Sequence, residues 1–160
     1  MIRRAMHPNA QLVERFYTSF QRLDPDGMVA CYHPDVTFSD PVFPELHGPR
    51  AGAMWRMLAA RAKGIEITFR DVTGDDARGG AHWEAIYTFS ETGRRVHNVI
   101  DATFAFRDGK IIRHDDHFDL WRWSAMALGA KGRLLGWLPP VQRAIRAKAA
   151  KNLERYLAAQ

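Results

Sequence analysis

An α+β fold is predicted by three observations. Apart from a short strand and loop at VTFSDPVFPELHGPR, apolar residues of the first 64 positions recur three and four apart, and those from 65 to 121 alternate. Helices followed by an unbroken series of strands is the α+β pattern. Breaks rich in glycine, at TGDDARGG, SETG and RDG, cut the alternating region into four strands, which predicts an antiparallel meander. At 160 residues, with 46% apolar and 26% charged side chains, the chain has room for one domain with its own core.

The elements follow in order. NAQLVERFYTSFQRLD carries Leu12, Val13, Phe16, Tyr17 and Phe20 on one helical stripe, with Asn9 expected to cap it. DPDGMVACYHPD is a short helix expected to stop before Pro34, because the residue preceding proline avoids helical φ/ψ. VTFSDPVFPELHGPR reads as a short strand entering a proline-stiffened loop, and AGAMWRMLAARAKG as a third helix ending at Gly64. The strands of the meander are IEITFRDVTG, GAHWEAIYTFSETG, RRVHNVIDATFAFRDG and KIIRHDDHFDLWRW. SAMALGAKGRLLGWLPP and a basic helix, VQRAIRAKAAKNLERYLAAQ, close the chain. The expected division is a domain over 1–123 and a helical extension over 124–160, packed on the same domain or on a partner subunit.

Composition excludes several classes. One cysteine, Cys31, permits neither an internal disulfide nor a cysteine-based zinc cage, and its apolar neighbours mark a buried structural thiol. MIRRAMHPNA lacks the apolar stretch of a leader, and no run approaches the roughly 18 apolar residues that span a bilayer. A cytoplasmic location is therefore expected. The net charge of +5 is unevenly spread: residues 1–121 hold 15 basic and 17 acidic side chains, residues 122–160 hold 8 and 1. A basic amphipathic tail suits an anionic surface or nucleic acid, but the base-reading groups of a nucleic-acid site are missing. Its stripe of Val141, Ile145, Ala149, Leu153, Tyr156 and Leu157 is expected to pack on protein, with no nucleic acid bound and no stable membrane association.

Side chains alternate faces along a strand, so only half of each strand can look into a concavity. In GKIIRHDDHFDLW the sets are Ile112, His114, Asp116, Phe118 and Arg113, Asp115, His117, Asp119, Trp121. In the preceding strand they are His97, Val99, Asp101, Thr103, Ala105 and Asn98, Ile100, Ala102, Phe104, Phe106. A carboxylate on a buried face raises its pKa toward neutrality, the tuning that a general acid or base needs. Asp101 reads either that way or as a partly exposed residue paired with an arginine. Asp40, in FSDP, reads either as such a group or as a turn residue bonding nearby backbone amides.

The order helix, helix, SDP loop, helix and four-strand meander resembles the nuclear-transport-factor-2-like fold and, within it, ketosteroid isomerase and SnoaL-like polyketide cyclases. RFYTSFQRLD, MVACYHPDVTFSDP, the HG at 47–48, NVIDATFAFRDGKI and HDDHFDLW carry the resemblance over about residues 9–123. It implies a cone: a curved antiparallel sheet, the cystatin-like α+β barrel, wrapped by the N-terminal helices around one deep pocket, with the basic helix as an extra. Under the isomerase resemblance Asp40 falls on the general base and Asp101 on the neutral acid of the oxyanion hole, the pairing for which ketosteroid isomerase is itself the standard example. The tyrosine of that hole falls on Phe16, with Tyr17 one step round the helix. Limonene-epoxide hydrolase is resembled through Asp101 and Asp116, with Val99 near its bridging arginine. SnoaL-like cyclases share the H-x-D of His114 and Asp116, and scytalone dehydratase offers a precedent for histidines and an aspartate activating water.

These resemblances imply a small-molecule enzyme with catalytic Asp40, Asp101, His114 and Asp116. Phe16, Tyr32, Phe38, Trp55, His82, Glu84 and Phe118 would contact a small hydrophobic, oxygenated ligand. Isomerisation, cyclisation, dehydration and epoxide opening stay open, as does a non-catalytic ligand-binding or structural domain. No metal and no cofactor is expected, and the fold's habit implies a homodimer.

Overall fold

The computed structural model describes residues 4–160, so the first three residues of MIRRAMHPNA lie outside it. Helix α1 (Pro8–Gln21) starts on a proline, whose missing N–H costs nothing in a first turn. Its cap is His7 rather than Asn9: the His7 Nδ1 accepts from the Asn9 amide at 3.0 Å, while the Asn9 side chain donates to the Asp75 carbonyl at 2.9 Å. The predicted stripe of Leu12, Val13, Phe16, Tyr17 and Phe20 is buried. Helix α2 (Pro25–Val29), capped by Asp24, is shorter than expected. Strand β1 (Tyr32–Ser39) begins ahead of Pro34, which sits exposed in an unpaired stretch where the register shifts between Tyr32 and Thr37. A strand tolerates proline there because no ladder hydrogen bond is lost.

The short β2 (Leu46–His47) turns through Gly48, at φ 53°, into α3 (Pro49–Arg61), which buries Met54, Trp55 and Met57. The meander is β3 (Glu66–Gly74), β4 (Arg78–Phe89), β5 (Arg94–Arg107) and β6 (Lys110–His117). Asp108 and Gly109, at φ 52° and 71°, form the tight β5–β6 turn, the two positive φ values that such hairpins demand. The six strands make one curved sheet in the order β2-β1-β6-β5-β4-β3. Its pairs are antiparallel except β1 with β6, which run parallel, so the sheet is mixed.

One irregularity matters to the site. Ala105 pairs with Arg113 and Phe106 with Ile111, so Ile112 is the extra residue of a β-bulge. The bulge resets the alternation, and Ile111, His114 and Asp116 come to one face, all buried.

Asp119 ends the strand region by capping α4 (Leu120–Leu128) with a 3.1 Å bond from the Arg122 amide. Helix α5 (Ala130–Leu135) and the long α6 (Pro139–Ala158) follow. Leu153 of α6 is fully buried in the main core, with Ala149, Tyr156 and Leu157 packed against it. The tail thus packs on its own domain. It is fastened by Lys148 to Glu91 at 3.0 Å, by Arg146 Nε to the Pro41 carbonyl at 2.8 Å, and by Arg50 to Glu154.

Candidate active site

Between the concave face of the sheet, α3 and α6 lies a cavity of about 420 Å³, within the range that holds drug-sized molecules. Most of its wall is apolar, contributed by residues such as Phe20, Met54, Trp55, Ile100, Phe118 and Ile145. Asp40, Tyr87, Asn98 and Asp116 bring polar groups to it, with Arg61, Glu91, Lys131, Lys148 and Asn152 also along its lining.

Asp116 arrives from β6 and Asp40 from the end of β1, and the two carboxyls are held in the same manner. Asp116 Oδ1 accepts from His114 Nε2 at 2.9 Å and from Trp83 Nε1 at 3.2 Å. Asp40 Oδ1 accepts the backbone amides of Val42 at 2.7 Å and Phe43 at 2.6 Å, so the turn-residue reading of Asp40 and its place in the cavity hold together. In each case the second oxygen has no protein partner among the described residues. Each carboxyl is anchored by one oxygen and offers the other.

A chain of hydrogen bonds stands behind Asp116. Trp55 Nε1, which can only donate, gives its proton to the Tyr32 hydroxyl at 2.8 Å. Tyr32, whose pKa burial pushes well up, keeps its own proton and donates it to His114 Nδ1 at 2.8 Å. The remaining imidazole N–H, on Nε2, then points at Asp116. This order of donors assigns the His114 tautomer from the network. Phe16, Phe38, Trp55 and Phe104 surround the ring, with centroids 5.3, 5.0, 6.1 and 4.5 Å away, and His114 is wholly shielded from solvent.

Asp40 is tuned differently. Burial raises its pKa to about 7; the Phe43 and Val42 amides pull it down, and the charge of Asp116 pushes it up. Asp40 is half-buried and lines the cavity. Near it, the Tyr87 hydroxyl accepts from Trp123 Nε1 at 2.9 Å, and its own proton has no acceptor among the described residues. The Asn98 side chain likewise has no protein partner among them, although the residue is 9% exposed.

Not all expected pocket residues are here. Trp55 and Phe118 line the cavity, whereas Phe16, Tyr32 and Phe38 lie behind it around His114. The expected pocket positions of Asp101, His82 and Glu84 are corrected: all three stand on the outer face of the sheet. The Asp101 side chain is 78% exposed, and it joins a surface chain in which His82 Nδ1 meets Asp101 at 2.9 Å, His82 Nε2 meets Glu84 at 3.0 Å and His97 meets Glu84 at 2.8 Å. The Asp101 and Glu84 bonds raise the pKa of His82, a surface pairing of little energetic weight. The strands turn their more apolar sets inward, with Trp83, Ala85 and Tyr87 on β4 and Asn98, Ile100 and Ala102 on β5. Asp101→Asn and His82→Ala should therefore each change stability by no more than about 0.5 kcal/mol, as outer-face substitutions do; a large loss in denaturant unfolding would show that the surface chain carries structural weight.

Trp83, Tyr87, Asn98 and Trp123 are the site residues that strand polarity alone did not reveal. Among the described residues, no group of three or more His, Cys, Asp or Glu side chains is placed to hold a metal ion.

The SnoaL-like domain family matches residues 13–114, and the chain belongs to that family. Among solved structures, it is similar to a candidate polyketide cyclase from Xanthomonas campestris pv. campestris, at 26% identity over 74% of this chain and 96% of that one, with a TM-score of 0.62. An LEH-like epoxide hydrolase of M. tuberculosis, 21% identical over 82% and 96% of the two chains, has a TM-score of 0.63. TerC, co-crystallised with polyporic acid, is 22% identical over 71% and 92%, with a TM-score of 0.60. A search of curated proteins finds no match.

Proposed function

We propose that this chain is an enzyme that acts on a small, largely apolar molecule bearing oxygen functions, by acid–base chemistry shared between Asp116 and Asp40 and without a cofactor. The observation that carries the reading is the pair of carboxyls on one apolar cavity, each tied by Oδ1 and free at Oδ2, with the pKa of Asp40 near 7. An acid and a base in one site need different environments, and these differ.

In this reading Asp116 takes a proton from a C–H or O–H of the substrate through Oδ2. His114, held by Tyr32, positions the carboxylate through its Nε2 hydrogen bond. Asp40, protonated below about pH 7, gives its proton or a hydrogen bond to the oxygen on which negative charge develops. The free hydroxyl proton of Tyr87 is a second donor to that oxygen, a role that Phe16 has no group to fill. Asn98 orients a further polar group. Proton removal at one end and proton donation at the other serve isomerisation, cyclisation, dehydration and epoxide opening alike. The epoxide hydrolase and candidate cyclase among the relatives agree with this class of substrate.

The test is a screen of apolar ketones, epoxides and hydroxylated aromatics for turnover, followed by Asp116→Asn and Asp40→Asn. Loss in both supports the reading. Unchanged turnover in both, with the variants folded, leaves the cavity as a binding site without chemistry.

A further inference from the structure

The face formed by α4, α5 and the turn into α6 is apolar where a surface is usually polar. Leu134 is 68% exposed, Trp137 54%, Trp121 46% and Leu135 41%. They form one patch, because Trp121 Nε1 donates to the Arg133 carbonyl at 2.9 Å and Trp137 Nε1 to the next carbonyl, of Leu134, at 3.0 Å. Each indole thereby uses its only polar atom internally and leaves carbon surface outside.

Glycines set this inversion. In KGRLLGW, Gly132 and Gly136 face α4, where a Cβ on Gly132 would collide with the Ser124 carbonyl and one on Gly136 would lie 2.7 Å from the Ser124 Cβ. The close approach gives the inside of α5 to glycine and turns its leucines out.

Basic residues flank the patch along the chain. From Leu120 to Leu153 the chain has seven Lys and Arg and no Asp or Glu. Arg122, Lys131, Arg133 and Arg143 are exposed and belong to no ion pair among the described residues. The cavity reaches the same region, since Leu128, Lys131, Val141 and Ile145 line it.

We propose that this face docks reversibly on anionic lipid bilayers, with Trp121, Leu134, Leu135 and Trp137 entering the interface and the flanking cations meeting the headgroups. Indoles favour that interface, and a few buried side chains plus several cations give peripheral rather than permanent attachment. No helix among the described residues is long and apolar enough to cross the membrane. A second copy fits the face poorly, because a two-fold contact would set like charges against each other, whereas an anionic bilayer neutralises them. Docked in this way, the chain brings one side of its cavity to the lipid, where apolar molecules collect. The docking does not depend on the acid–base reading of the cavity.

The experiment is co-sedimentation of the full chain with vesicles of phosphatidylcholine alone or mixed with phosphatidylglycerol, at low and high salt, with tryptophan emission recorded. Binding to the mixed vesicles, weakened by salt and accompanied by a blue shift, is expected. Leu134→Glu with Trp137→Ser, and separately Arg133→Glu with Arg143→Glu, should each weaken binding by about tenfold or more, with circular dichroism unchanged. No binding to phosphatidylglycerol vesicles, or binding unmoved by both variant pairs, overturns the proposal. So does sedimentation equilibrium that shows self-association through this face, broken by the first pair, in a chain that ignores vesicles.

Discussion

Asp116→Asn should, on the acid–base function proposed above, lower turnover by about 10²–10⁴-fold, the loss expected when a positioned general base is removed. Asn keeps the shape of the side chain and one oxygen to receive the His114 and Trp83 protons, so the framework around it has little reason to move. What disappears is an oxygen able to hold a proton. A purely structural role predicts another pattern. Hydrogen bonds to a buried charged group contribute about 1.5–3 kcal/mol, so a variant that melts early but turns over normally while folded would give Asp116 to the core instead. Denaturant unfolding and rate measurements on the same sample separate the two outcomes.

Asp40→Asn should flatten the dependence of stability on pH. The folded carboxyl has a pKa of about 7 against 3.8 for the ordinary group. Between those values the folded chain holds a proton that the unfolded chain releases. Stability associated with Asp40 is therefore full below about pH 4 and falls as pH rises through 7, by up to about 1.4 kcal/mol per pH unit. Asn at this position cannot ionise, keeps an oxygen for the Val42 and Phe43 amides, and should remove that slope. Urea unfolding at pH 5, 7 and 9 measures it: the unsubstituted protein loses stability across the series more steeply than the variant. Equal slopes would place the Asp40 carboxyl in water in effect. The same titration bears on rate, since an acid that deprotonates near pH 7 gives turnover an alkaline limb there, and the limb should be missing in whatever activity the variant keeps.

The fold could be read from the sequence because its determinants are local and repeated. The stripe from Leu12 to Phe20, the switch of period near Gly64 and the Asp108–Gly109 turn each follow from side chains close in the chain. Asp40 in FSDP and Asp116 in the H-x-D of the last strand were legible as candidates through the family resemblance that those motifs carry. The inward face of β4 and β5 was harder. His82, Glu84 and Asp101 attract attention by their chemistry, yet Trp83, Ala85, Ile100, Ala102 and Phe104 have more to gain from burial, and alternation allows only one set inside. Apolar area decided the phase, and a slip of one residue exchanged the whole pocket lining. The bulge at Ile112 has no signature in KIIRHDD that distinguishes it from a regular strand. The cap at His7 depended on the Asn9 side chain being taken by Asp75, a partner 66 residues away that no local pattern shows.

The parallel contact of β1 with β6 also orders events in time. Each neighbouring pair from β3 to β6 is joined by a short connection, so the meander can assemble through local closures, but β1 must find β6 across about half of the chain. The Ser39 hydroxyl reaches Asp115 over a separation of 76 residues, and long closures are late and slow to form. Asp40 sits at the end of that last strand. Hydrogen exchange should therefore find the β1 amides opening before those at the centre of β4 and β5. A chain caught with its meander complete and β1 detached would carry Asp116 without Asp40, so the two carboxyls face one cavity only in the finished molecule.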